Sequence, residues 1–197
     1  MIAYNFMKLI NLNKALLFII TLLVFSCESE YTKLVKNELD SGVKNDEVFY
    51  GLKFGQTKSD FFKICWDLNK KHLVTHGGNN NYVQKMLYPQ DSTKHIEKIV
   101  MLFYARFNPD DIITSMDVKF SYLAWAPWNN DLTSEKLIPK IQETLMKWYP
   151  GNPFIKVRKD ILVKVDGNRQ IQLKKESDRD VSVLIEDLAY KYNHLKK

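Results

Sequence analysis

Apolar and polar residues follow three different rules along this chain. Over 15–25 nearly every residue is apolar; over 28–47 charged and polar residues dominate; from Phe49 onward the pattern switches between helical and strand periods. In the third region Phe61, Cys65 and Leu68 recur at i, i+4 and i+7, with His72 following at i+11. That spacing predicts an amphipathic helix, and Thr57 with Asp60 supplies its capping start. Phe62, Ile64 and Trp66 widen the same face, which places Cys65 among aromatics on the inward stripe. After a loop over 75–81, a strand is expected over 82–88, closed by Pro89, and a longer one over 96–107. Both faces of the longer strand are largely apolar, so it should be covered on both sides. Residues 112–124 alternate cleanly, Met116, Val118, Phe120 and Tyr122 against Asp117, Lys119 and Ser121. They predict a strand with one wet face, paired to its predecessor through the turn Asn108-Pro109-Asp110-Asp111.

The pattern then repeats. Thr133 can cap a second helix carrying Leu137, Ile141, Leu145 and Trp148, with Pro139 predicting an irregular first turn. Strands over 161–165 and 169–174 flank Asp166-Gly167-Asn168, a strong hairpin signal. Another follows over 181–185, a short one fits 154–157, and 188–195 suits a short helix. Helix then three strands (57–124) is followed by helix then three or four (133–187), with Thr57 and Thr133 at equivalent starts about 76 residues apart. The expected fold is α+β: an antiparallel sheet with helices packed on one face, built as two tandem helix-plus-three-strand halves. It forms one domain over 48–197, with pseudo-halves 48–128 and 129–197. This order, with its Gly55-Gln56-Thr57 helix entry, is similar to small envelope modules of the SmpA/BamE and β-lactamase-inhibitor type. The resemblance implies a module that serves other envelope proteins by binding, and it assigns no binding residue.

The first region decides the address. Lys8 and Lys14 precede the apolar run, and no acid does. About 11 apolar residues span roughly 16 Å as a helix, short of the ~20 residues that cross a bilayer. A basic start, a short apolar core and a small residue before the cut describe a secretory signal over 1–26. Leu22-Leu23-Val24-Phe25-Ser26-Cys27 resembles the lipobox of bacterial lipoproteins, with Val24 at −3, Ser26 at −1 and Cys27 as the lipid acceptor. That resemblance implies cleavage before Cys27 and palmitate-type acyl chains on it. Several chains make attachment durable where one gives only marginal binding. Residues 27–47 then serve as lipidated cysteine and flexible tether, with a short helix expected near 31–39. The implied location is the cell envelope, at the outer membrane, with the side it faces left open.

Charge and cysteine usage narrow the rest. The chain carries 29 basic and 23 acidic side chains, and loss of Lys8 and Lys14 with the leader leaves an excess of four. That modest, dispersed charge does not mark a nucleic-acid surface. Only Arg106, Arg158, Arg169 and Arg179 are arginines. With Cys27 committed to lipid, Cys65 has no disulfide partner and should be buried.

Chemistry-bearing motifs are few. His72 and His76 with Cys65 have helical spacing that metal ligands sometimes use, but Gly77-Gly78 interrupts the helix, and no metal is expected. Asp110-Asp111 are paired carboxylates that Pro109 assigns to a turn. No nucleotide-binding loop or nucleophile elbow occurs, and no cofactor is expected. The leading functional candidate is aromatic: Tyr122, Trp125 and Trp128 around a proline loop, with Trp148 and Tyr149 closing the second helix. Exposed, they form a binding patch; buried, they fill the junction between the halves. The sequence thus points to a lipid-anchored, non-enzymatic binding or accessory module with an envelope protein as partner. The alternatives are a hydrolase of envelope material and a structural subunit of an outer-membrane complex.

Overall fold

The computed structural model describes residues 28–78, 81–89, 91 and 95–195. The expected leader, 1–26, and the lipidation site, Cys27, lie outside the described residues. The first half comprises α1 (Glu30–Asp40), β1 (Glu47–Phe49), β2 (Leu52–Lys53), α2 (Lys58–Lys70), β3 (Thr75–His76), β4 (Val83–Leu87), β5 (Ile99–Phe107) and β6 (Ile113–Tyr122). The second comprises α3 (Ser134–Trp148), β7 (Ile155–Arg158), β8 (Ile161–Asp166), β9 (Arg169–Lys175), β10 (Val181–Asp187) and α4 (Leu188–Leu195). Eight strands form one antiparallel sheet in the order β3-β4-β5-β6-β10-β9-β8-β7, and β1 pairs with β2 separately. The fold is therefore α+β with a large antiparallel sheet.

The order of the sheet explains the repeat seen in the sequence. Each half runs out as a meander, and the two last strands, β6 and β10, pair at the centre with Phe120 opposite Val181, Val118 opposite Val183 and Met116 opposite Ile185. All six of these side chains are buried. They continue outward into Met101, Phe103 and Ala105 on β5 and into Ile171 and Leu173 on β9. Leu137, Ile141 and Leu145 of α3 close this apolar face, and α3 lies against β6, β9 and β10. Burying a side chain of this size contributes roughly 1.5–3 kcal/mol relative to exposure. The opposite face is wetter: Arg106 makes a paired contact with Asp117 at 2.6 and 2.7 Å, and Lys119 reaches Glu176 at 2.7 Å.

Both halves anchor a helix start on a hairpin turn. Lys58 N–H donates to the Asp111 carbonyl at 2.8 Å, in the β5–β6 turn, and Ser134 N–H donates to the Asp178 carbonyl at 2.8 Å, beside the β9–β10 turn. Thr57 and Asp60 form a complete capping box on α2. Thr133 makes no side-chain cap bond; Ser134 Oγ bonds to the Ser177 carbonyl at 2.5 Å instead. Pro139 does not interrupt α3, which runs through it to Trp148. Its missing N–H frees only the carbonyl of Glu135, in an exposed first turn.

Some boundaries differ from those the pattern predicts. β5 begins at Ile99, because His95–Glu97 turns as a 3-10 helix. Thr75–His76, read as loop, adds a two-residue edge strand to β4. Within 28–47 a helix covers Glu30–Asp40, close to the short one expected near 31–39, but the compact domain reaches back to Val35, not to 48. Val35 is buried, and Glu38 accepts from Asn152 Nδ2 and from Gly167 N–H, each at 2.7 Å. Those contacts join residues far apart in sequence, so no local pattern announces them.

Candidate functional site

The five aromatic residues singled out in the sequence occupy two regions. Tyr122 is buried under the Lys140 ammonium, 5.4 Å from its ring. Trp125 stands 5.9 Å from the Arg179 guanidinium, beside the β9–β10 turn, and Trp128 is 84% exposed. Trp148 and Tyr149 lie at the other end of α3, where Trp148 meets Phe49 at 6.4 Å and Tyr50 at 6.3 Å. Tyr149 is buried, its hydroxyl donating to the Val48 carbonyl. Tyr122 thus sits beside the middle of α3, and Trp148 and Tyr149 at its C-terminal end.

A different aromatic surface is built by α2. Its stripe is narrower than the sequence suggests. Phe61 and Cys65 point inward, whereas Phe62 is 50% and Trp66 60% exposed, one turn apart on the outer flank. Phe61 fixes the helix by packing 5.3 Å from Tyr104 and 5.8 Å from Phe107, both on β5. Between α2, β3 and the start of β4 lies a groove of about 720 Å³ with a mostly apolar lining. Phe61, Phe62, Trp66, Val74, Tyr82 and Tyr104 form most of its walls, with His76 and Asn69 adding polar points. Gly77, directly after β3, is closely packed: a Cβ there would stand 2.9 Å from the Tyr82 carbonyl and 3.0 Å from the Leu102 side chain.

Cys65 also lines the groove. Burial pushes its thiol up to about 12, so it is protonated and unreactive at neutral pH. His72 takes the left-handed conformation (φ 56°) that ends α2, with Leu73 N–H bonding the Leu68 carbonyl at 3.0 Å. His76 sits on β3, so the two histidines belong to different elements. No group of three metal-ligating side chains converges among the described residues. Asp111 is in the β5–β6 turn and contacts Lys58 at 3.4 Å.

The sequence also passed over a buried polar knot at the β8–β9 turn. Lys164 has no exposed surface; its ammonium donates to the Asn152 carbonyl and lies 2.8 Å from Asp166 Oδ2. Asp166 Oδ1 accepts from Asn152 N–H at 2.8 Å. Asn168 binds Asp46 and Asp187 through its amide nitrogen at 3.0 and 3.2 Å, and its oxygen accepts from Asn45 N–H at 2.6 Å. Gly167, at φ 56°, places its α-carbon so close to Val43 that a Cβ would stand 2.3 Å from the Val43 carbonyl oxygen. The hairpin signal Asp166-Gly167-Asn168 therefore also clamps the segment leading from α1 to β1.

Comparison with protein-family models, with curated proteins and with solved structures returns no significant match.

Proposed function

We propose that this chain is a lipid-anchored envelope protein, held at the membrane through Cys27, whose α+β domain is a non-enzymatic binding module. The observation that carries the binding role is the pair Phe62 and Trp66, exposed above an apolar groove on α2. Large aromatics left in water at the rim of an apolar cleft are the side chains that dominate binding hot spots. The matching partner is an apolar segment of another envelope protein. The lipobox-like stretch supports the address, and the short apolar run before it supports a cleaved signal.

One experiment separates the two parts of this reading. A photo-crosslinking side chain placed at Trp66, or at exposed Lys136 on α3 as control, is activated in cells with Cys27 intact or replaced by alanine. The expected result is a recurrent protein adduct from position 66 alone, and its loss with membrane retention in Cys27→Ala. Equal labelling from 66 and 136 counts against the groove; unchanged membrane retention in Cys27→Ala counts against the anchor. The urea midpoint of Trp66→Ala, measured beside the crosslinking, distinguishes lost binding from lost fold.

A further inference from the structure

The C-terminal end of α3 and the β1–β2 turn enclose a second cavity, of about 320 Å³, apart from the α2 groove. Phe49, Tyr50, Trp148 and Tyr149 supply its aromatic walls, and Arg169 of β9 lines it. Tyr50 adopts φ 53°, a left-handed conformation that costs a bulky residue free energy. That backbone sets its ring 6.3 Å from Trp148 and 6.4 Å from Phe103.

Arg169 is only 7% exposed, its guanidinium 4.4 Å from the centre of the Tyr149 ring. Nη1 donates to the Glu47 carbonyl at 3.0 Å. Nε is buried without a hydrogen-bond partner, and Nη2 stands 4.0 Å from Asp166 Oδ2, beyond hydrogen-bond reach. Nε–H and Nη2–H lie side by side on one edge of the planar guanidinium, the edge that matches the two oxygens of a carboxylate.

The local charge points the same way. The buried charged residues of the described chain are Lys164, Asp166 and Arg169, two cations to one carboxylate, and Lys164 lies 2.8 Å from that carboxylate. Glu38 is engaged by Asn152 and Gly167, while Glu47, on the cavity wall, is exposed and paired with Lys53 at 2.9 Å. Arg169 thus shares its nearest carboxylate, Asp166 at 4.0 Å, with Lys164, which holds it more closely. The buried pair of cations is only partly compensated, and a further anion would offset the remainder. Burial also pulls its affinity for the proton below the ordinary arginine value.

We propose that this cavity binds an organic monocarboxylate with a flat apolar body. The carboxylate occupies the Nε–Nη2 edge of Arg169, and the body lies among Phe49, Tyr50 and Trp148. A phosphate dianion suits it less: one guanidinium edge is free, Lys164 is engaged elsewhere, and Glu47 is on the wall.

Four arginines in the chain make the test direct, because each gives one Nε–H signal in a nitrogen-correlated NMR spectrum. Replacing exposed Arg106, Arg158 and Arg179 by lysine in turn assigns Arg169 by elimination and leaves the cavity untouched. The full chain is then titrated with benzoate, with neutral benzamide and with inorganic phosphate. The expected result is a saturable shift of the Arg169 signal with benzoate alone, at millimolar affinity or tighter. Trp148→Ala, which keeps Arg169, should weaken benzoate at least tenfold. An Arg169 signal unmoved by benzoate overturns the proposal, as does an equal shift of all four arginines. Phosphate acting without benzoate overturns the ligand class, and unchanged affinity in Trp148→Ala overturns the apolar half of the site.

Discussion

Lys164 shows how much one side chain can depend on its neighbours. A lysine ammonium with no exposed surface is tolerable only because the Asn152 carbonyl and Asp166 surround it. Removing the carboxylate while leaving the ammonium buried should cost about 3–5 kcal/mol, as for other broken buried pairs. Asp166→Asn should therefore lower the urea midpoint sharply, whereas Lys164→Met, which keeps the apolar stem and removes the charge, should be milder. Equal losses in the two variants would mean that packing, not charge, governs the knot. The sequence gives no hint of this pair. Lys164 lies between Val163 and Val165, where strand alternation reads it as a solvent-facing position. Only the arrival of Asn152 from the segment after α3 converts that position into an interior one.

Cys65 makes a second prediction at the same scale, and here the sequence was legible. Its place on the stripe between Phe61 and Leu68 announced burial, and the thiol is buried. With the folded thiol pushed up to about 12 from an ordinary value of 9.0, the folded state binds more protons than the unfolded state between those values. Stability should be constant through Cys65 below pH 9 and fall as pH rises toward 12. In Cys65→Ser that part of the alkaline loss should disappear, measured as the difference in urea midpoints between pH 8 and pH 11.

At the scale of elements, the two helices start in different ways although the sequence offers each a threonine. Thr57 receives Asp60 N–H at 3.1 Å, and Asp60 receives Thr57 N–H at 3.0 Å. Thr133 makes no comparable bond, because Ser134 ties the start of α3 to the β9–β10 turn. Thr57→Ala should destabilise the protein by about 1 kcal/mol, Thr133→Ala by little, and Ser134→Ala more than Thr133→Ala. Denaturation midpoints of the three variants check the order. The Thr-x-x-Asp signature identified the first cap correctly because a capping box is local. The second anchor crosses 43 residues and leaves no such mark. The same distinction explains the outer flank of α2. Helical spacing places Phe62 and Trp66 near the inward stripe, but spacing cannot say how wide a stripe the sheet has room to cover.

Across the whole molecule, alternation and turn residues revealed most of the strands, and the repeat of helix and strands was visible in the spacing of Thr57 and Thr133. What the repeat could not reveal was the seam. Pairing β6 with β10 makes one continuous apolar layer from two meanders, so the halves share a core and should unfold as one unit. Val183→Ala, at the seam, should raise native-state hydrogen exchange on β5 and on β9 by the same factor. Acceleration confined to the second half would show that the halves open separately.

The sheet that joins the halves is open, so it has two borders. On one, β3 pairs with β4 over only two residues. On the other, β7 carries Lys156 and Arg158 about an irregularity in its pairing, followed by exposed Lys159. Short length, like charge and a break in register are the devices that stop one sheet from extending into the next. The consequence is colloidal: copies crowded side by side repel at one border and find too little backbone to grip at the other. A protein can then reach high local density without its sheet becoming a template for fibres.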